Sequence, residues 1–265
     1  MSFKITAVNY LNTFPFRFGL EAFQNILNWT EIDYATPFEC AQQLLNGSTN
    51  IALAPIAVLA YQPNLQIITN YCLSTNVKVQ TVKLYSHQHI SHIKSIVLDY
   101  QSLSSVSLCK VLMKHYWKKN VEYIQGQKGF ENQLNADAMV VIGDRTFELN
   151  GKFPYEYDLA EEWFKYFGKP FVFAAWISNV KLSSQQLQQL NNAFEYGIQN
   201  IEEVTQLALH QTNIFQHLAL SQRQENIYNY LTQNMQYYLT PERKESIEHF
   251  LNLLKNTINE PISVL

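Results

Sequence analysis

Phe3-Lys-Ile-Thr-Ala-Val8-Asn9-Tyr10-Leu-Asn12-Thr13-Phe-Pro15-Phe-Arg-Phe-Gly-Leu20 decides the fold. Its opening residues are apolar and strand-like, and the run breaks at two asparagines before a helix begins. Asn9 and Asn12 therefore sit on the turn where a strand hands over to a helix. In open α/β sheets that turn, at the carboxyl end of a strand, is where ligands bind. Thr13 is expected to cap the helix and Pro15 to occupy its first turn, leaving backbone N–H groups beyond Asn12 to hold an anion. The competing reading is that both asparagines only satisfy the turn.

Working outward, β and α elements keep alternating, which favours parallel sheets with helices on their faces. Thr30 to Ala35 reads as a strand, and Thr36, Pro37 and Glu39 supply an N-cap, a first-turn proline and a capping-box partner, with a stop at Gly47. Asn50 to Ala54 reads as a buried strand, after which Pro55 opens a short helix through Ala60. Val79 to Ser86 alternates as a strand does. Then come strand Ser95 to Leu98, helix Ser105 to Trp117, strands Val121 to Ile124 and Ala138 to Ile142, and helix Glu161 to Phe167 ended by Gly168. The apolar strand Phe171 to Ile177 carries the chain back, and from Ser183 it is helical, with a last helix starting at Thr240 and Pro241. The expected architecture is α/β with two lobes: residues 1–87 plus 176–265 form the first, and 88–175 the second. Two crossings between lobes make a hinge that can close on a ligand.

The chain has 265 residues, enough for two lobes, with 47% hydrophobic residues and only 15% charged. A net charge of −3 leaves no basic footprint, so nucleic acid and anionic membrane are not expected partners. The longest apolar stretches are too short for a membrane span. No signal-peptide pattern precedes the first strand, which points to the cytoplasm. Cys40, Cys72 and Cys109 are far apart in apolar settings and read as reduced thiols. His87, His89 and His92 lack carboxylate or cysteine company and read as a polar loop, so no metal site is assigned.

Four segments can face the cleft between lobes: Asn9 to Thr13, Pro55 to Val58, Thr75 to Thr81, and Ser102 to Ser105. Ser102, Ser104 and Ser105 stand between a strand and a long apolar helix, where hydroxyls and backbone N–H groups converge on a carboxylate or phosphate. Plain N-capping by one serine is the alternative. Asp144, after a buried strand, either orients a donor or caps the next turn. Nucleotide, flavin, serine-hydrolase and zinc-protease motifs are all missing.

Val8-Asn9-Tyr10-Leu11-Asn12-Thr13-x-Pro15 resembles the chorismate dehydratases of menaquinone biosynthesis by the futalosine pathway. The resemblance runs on through Leu45-x-Gly47-x-x-x-Ile51-x-Leu53-x-Pro55, Val79-x-Thr81-Val82-x-Leu84-Tyr85-Ser86, Leu98-Asp99-Tyr100-Gln101-Ser102-x-Ser104-Ser105-Val106, Ile142-Gly143-Asp144 and Gly168-x-Pro170-Phe171-Val172-Phe173-Ala174-x-Trp176. It implies a fold similar to type II periplasmic solute-binding proteins, with a ligand cleft between lobes. It also implies a lyase converting the dianion chorismate to 3-[(1-carboxyvinyl)oxy]benzoate without metal or redox cofactor. The catalytic Asn and hydroxyl residue fall on Asn12 and Thr81. Asn9, Pro55, Ser102, Ser104, Ser105 and Asp144 are the expected substrate-binding set. Leu103 stands where relatives commonly carry an arginine, Thr81 where they often carry serine, Asn50 where Asp is common, and Asn76-Val77-Lys78 where Asp-Gly is common. A cytoplasmic solute-binding module, or a relative without catalysis, is the alternative. The sister naphthoate synthase is disfavoured because its N-terminal Ser-Pro-Cys-Pro-Asn-Asp type motif is absent.

Overall fold

The structure is a computed structural model that describes residues 2–132 and 136–257. In chain order the strands are β1 (Phe3–Val8), β2 (Thr30–Ala35), β3 (Ile51–Pro55), β4 (Gln66–Thr75), β5 (Val82–Ser86), β6 (Ser95–Leu98), β7 (Glu122–Gln125), β8 (Ala138–Ile142), β9 (Tyr155–Asp158), β10 (Phe171–Ser178) and β11 (Gln236–Tyr238). The α-helices are α1 (Phe14–Ala22), α2 (Pro37–Leu45), α3 (Ser104–His115), α4 (Thr146–Leu149), α5 (Leu159–Phe167), α6 (Ser184–Gln199), α7 (Ile201–Gln211), α8 (Leu220–Asn229) and α9 (Pro241–Thr257).

Two sheets result, one in the order β11-β4-β10-β3-β1-β2 and one in the order β7-β6-β8-β5-β9. Both are mixed, not parallel throughout. β1 runs parallel to β2 and β3, and β6 parallel to β7 and β8. β10 runs antiparallel to β3 and β4, and β5 antiparallel to β8 and β9. The reason is mechanical: β5 and β10 are the strands by which the chain changes sheets, so each enters its new sheet from the end where the other strands finish.

The same fact moves the expected division of the chain. β5 pairs wholly within the second sheet, so the first crossing precedes residue 82 instead of following 87. β10 pairs wholly within the first sheet, so the return falls at Gly168 to Pro170 instead of at 175. Residues 258–265 of the expected first lobe lie outside the described residues.

Local chemistry sets most element ends. Thr36 accepts from the Glu39 amide while the Glu39 side chain returns to the Thr36 amide, the reciprocal capping box. Ser183 and Gln186 repeat it at α6. Gly168 ends α5 in the left-handed conformation at φ +65°. β3 is buried along its whole length because both of its faces are covered, and it reads as a continuous apolar run. α1 and α6 cross backbone to backbone: a Cβ on Gly19 would lie 1.8 Å from the Ala193 carbonyl, and one on Gly197 1.7 Å from that of Pro15. Only glycine permits that approach. Beneath it Trp176 stacks on Phe194 at 4.5 Å, with Phe16 edge-on to both. That packing locks α1, and the turn before it, onto the first sheet.

Candidate functional site

β1, β3, β6 and β8 all deliver their carboxyl ends to the gap between the sheets, so the site is built from the turns that follow them. After β1 the Asn9 amide still bonds to the Ala35 carbonyl of β2 at 3.0 Å. Leu11–Thr13 then form a 3-10 turn that runs into α1. Thr13 does not cap the helix as expected. Its backbone is already helical, which turns its side chain away from the first-turn amides, and its hydroxyl donates to Asn12 Oδ1 at 3.2 Å. Pro15 does occupy the first turn.

From the second sheet, Ser102 Oγ accepts from the Ser105 amide at 3.1 Å, so Ser102 does cap α3. Ser104 Oγ accepts from the Ala57 amide of the 3-10 turn after Pro55, also at 3.1 Å, and thereby ties the two sheets together. Asp99 sits beneath them. Its carboxylate accepts from the Gln101 and Ile142 amides, each at 2.9 Å, and from Arg145 Nη2 at 2.6 Å. Burial pushes the Asp99 carboxyl above its ordinary value against the pull of Arg145 and those amides. Arg145 also pairs with Glu131 at 3.1 Å and donates to Gln101 Oε1 at 2.9 Å. Its charge is spent on carboxylates behind the turn.

The crossing into β5 is pinned by Asp158. One carboxylate oxygen accepts from the Val79 and Gln80 amides at 3.1 and 2.7 Å, and the other from Ala160 and Glu161 at 3.1 and 3.2 Å. A single side chain therefore caps α5 and holds Gln80 in the left-handed region at φ +67°. Thr81 follows directly. Its carbonyl accepts from the Gly143 amide at 2.8 Å, and its hydroxyl lies 2.8 Å from the hydroxyl of Tyr230.

These turns line a narrow, partly open cavity of about 50 Å³. Asn12, Pro55, Thr81, Ser102, Ser104 and Ser105 all line it, so six of the eight expected site residues share one hollow. Asn9 and Asp144 do not. They line a neighbouring groove with Arg17, Phe147 and the segment 211–217. Asp144 turns back on the first sheet, where both its oxygens lie 3.3 Å from the Leu11 amide. Desolvation pushes its carboxyl up to about 7. No charged side chain lines the cavity among the described residues, which offer hydroxyls, an amide and an apolar wall from Val8, Leu73, Ile142 and Phe173. Such a lining offers hydrogen-bond donors to an anion and no opposite charge.

Sequence reasoning missed four participants. Tyr10 lines the cavity and donates to Gln101 Oε1 across the gap at 2.7 Å. Gly143 makes room for it: at φ +69°, a Cβ there would lie 2.9 Å from the Tyr10 ring. Tyr230 backs Thr81. The quoted motifs already contained Tyr10, Gln101 and Gly143, but only their meeting across the gap gives them a role. Nothing in the sequence marks Tyr230.

Comparison with known proteins places this arrangement. The sequence profile of a menaquinone-biosynthesis family matches residues 3–256. A curated chorismate dehydratase of Thermus thermophilus is 24% identical over 220 residues, covering 72% of this chain and 81% of its own length. Among solved structures, a protein of Archaeoglobus fulgidus superposes with TM-score 0.69 at 13% identity, covering 97% of this chain and 96% of its own. A Candida albicans protein described as having the generic periplasmic binding protein fold gives 0.69 at 12%, covering 98% and 92%. The MOPS-bound alkanesulfonate-binding protein SsuA from Xanthomonas axonopodis pv. citri gives 0.65 at 11%, covering 97% and 93%. The fold is thus periplasmic-binding-protein-like, and the chain belongs to the menaquinone-biosynthesis family.

Proposed function

We propose that this protein is a chorismate dehydratase, a lyase that removes water from chorismate to give 3-[(1-carboxyvinyl)oxy]benzoate on the futalosine route to menaquinone. The observation that carries the reading is the shared cavity: Asn12 from one side of the gap and Thr81 from the other line it together with the α3 serines. The relative from Thermus thermophilus supports the substrate.

The chemistry asks little beyond what these groups offer. The C3 proton of chorismate is vinylogous to the ring carboxylate, so its removal sends charge towards that carboxylate. Departure of the C4 hydroxyl then completes an aromatic ring, a strong driving force. The proton and the hydroxide leave together as water, and the oxidation level does not change. Ser102, Ser104 and Ser105, with the N-terminus of α3, hold the ring carboxylate where charge accumulates. Asn12 and Thr81 hydrogen-bond at the reacting carbon and the departing hydroxyl. With no carboxylate, histidine or lysine among the described lining residues, the enolpyruvyl carboxylate of the substrate itself takes the proton. Orientation of the substrate between these groups supplies much of the acceleration.

Ultraviolet absorbance of chorismate mixed with purified protein, without added cofactor, tests this. The diene signal decays and an aromatic product appears, and Asn12→Ala lowers kcat/KM by about 100-fold, the scale for losing one oriented donor. Saturable binding with no turnover would replace the enzyme with a solute-binding protein.

A further inference from the structure

The Tyr230 hydroxyl lies behind the cavity wall, not in it, and meets the site through Thr81 Oγ1 at 2.8 Å. Its ring is 2% exposed. Tyr230 opens a π-helical turn, Tyr230–Asn234, that continues α8 on the first unit, whereas Thr81 leads into β5 of the second. The contact therefore spans the gap. A π turn shifts the side-chain direction of a helix and recurs at functional sites. Phe147 packs edge-on against the ring at 5.3 Å and fixes its plane. Burial holds the phenol neutral, well above its ordinary value, although Thr81 and the Asn12 amide favour its ionised form. Tyr230 consequently has one proton to donate.

The donor directions follow. Asn12 Oδ1 accepts from the Thr13 hydroxyl, which leaves its amide nitrogen as the Asn12 group able to donate to its surroundings. The contact admits either hydroxyl as donor, and the direction in which Tyr230 donates to Thr81 Oγ1 leaves the Thr81 proton for the cavity. We propose that Tyr230 is a positioning residue, which orients the Thr81 hydroxyl as a donor towards the ligand by filling its acceptor side across the gap. The role rests on the dehydratase reading, in which Thr81 serves the departing hydroxyl.

A kinetic double-mutant cycle tests it. Tyr230→Phe keeps the ring and its packing but loses the proton. It should lower kcat about ten-fold and leave KM within about two-fold. In a Thr81→Val background it should have no further effect. A raised KM with kcat intact, or the same loss of kcat in both backgrounds, overturns the proposal. If the wild-type protein leaves chorismate unchanged, the dehydratase reading falls. The same proteins then report on the hydrogen bond alone through urea unfolding, where a non-additive cycle supports the pairing of Tyr230 with Thr81 and an additive one overturns it.

Discussion

Gly143→Ala probes how the cavity is closed. Gly143 has φ +69°, and an added Cβ would sit 2.9 Å from Cε2 and Cζ of Tyr10. Non-bonded carbons rest at about 3.5–4.0 Å, so the ring would have to retreat by roughly 0.6–1 Å. That retreat strains the Tyr10–Gln101 hydrogen bond, now 2.7 Å and one of the contacts spanning the gap. Left-handed backbone costs a residue with a Cβ about 1–2 kcal/mol, and overpacking adds about 1–3 kcal/mol. Gly168→Ala separates the two: φ there is +65°, and an added Cβ meets nothing within 4 Å. Urea unfolding of both variants should show a loss of about 1–2 kcal/mol for Gly168→Ala and a further 1–3 kcal/mol or so for Gly143→Ala. The KM for chorismate should rise only for Gly143→Ala. Equal destabilisation by the two substitutions would refute the argument, since the Tyr10 contact would then carry no cost.

Asp144 makes stability depend on pH. Desolvation pushes its carboxyl up from the ordinary 3.8 to about 7 in the fold, so between those values the folded protein holds the extra proton and stability declines as pH rises. Asp144→Asn removes that component, and the wild-type-minus-variant difference in urea-derived stability should slope downward only between pH 4 and 7 or so; a flat difference defeats the assignment. Asp158→Ala strips acceptors from four amides and should cost about 2–4 kcal/mol. Hydrogen exchange at Val79 and Gln80 should accelerate as well, and unchanged protection there would remove Asp158 as the clamp of the crossing.

What could be read beforehand was what local chemistry determines. The capping box Thr36-x-x-Glu39, the stop at Gly168, the strand β6 and the serine-rich start of α3 depend on neighbours a few residues away. β4 is not legible in the sequence, because Thr69, Asn70 and Tyr71 interrupt its apolar run, and its burial comes from β10 and β11 on either side. Nor is β9: as an edge strand it is half-exposed and has no alternation to read. The directions of β5 and β10 depend on where the chain has already been. For the site, six residues could be placed in one cavity because each follows a strand end, and strand ends converge in this architecture. Asp144 shows the limit. The strand end was right, but a side chain can turn to either side of its turn, and its partner Leu11 is 133 residues away. Tyr230 and Thr81 are 149 residues apart, a contact that exists only in the folded chain.

The neutral lining of the cavity has a kinetic corollary. Pockets that capture anions with lysine or arginine draw them in by long-range attraction, and added salt slows their association. Here the lining carries no charge among the described residues and the whole chain has net charge −3, so the proposed dianionic substrate approaches against a weak repulsion. Raising the ionic strength should therefore speed capture slightly, the reverse of electrostatic steering, while the rate of escape, governed by short-range hydrogen bonds, barely changes.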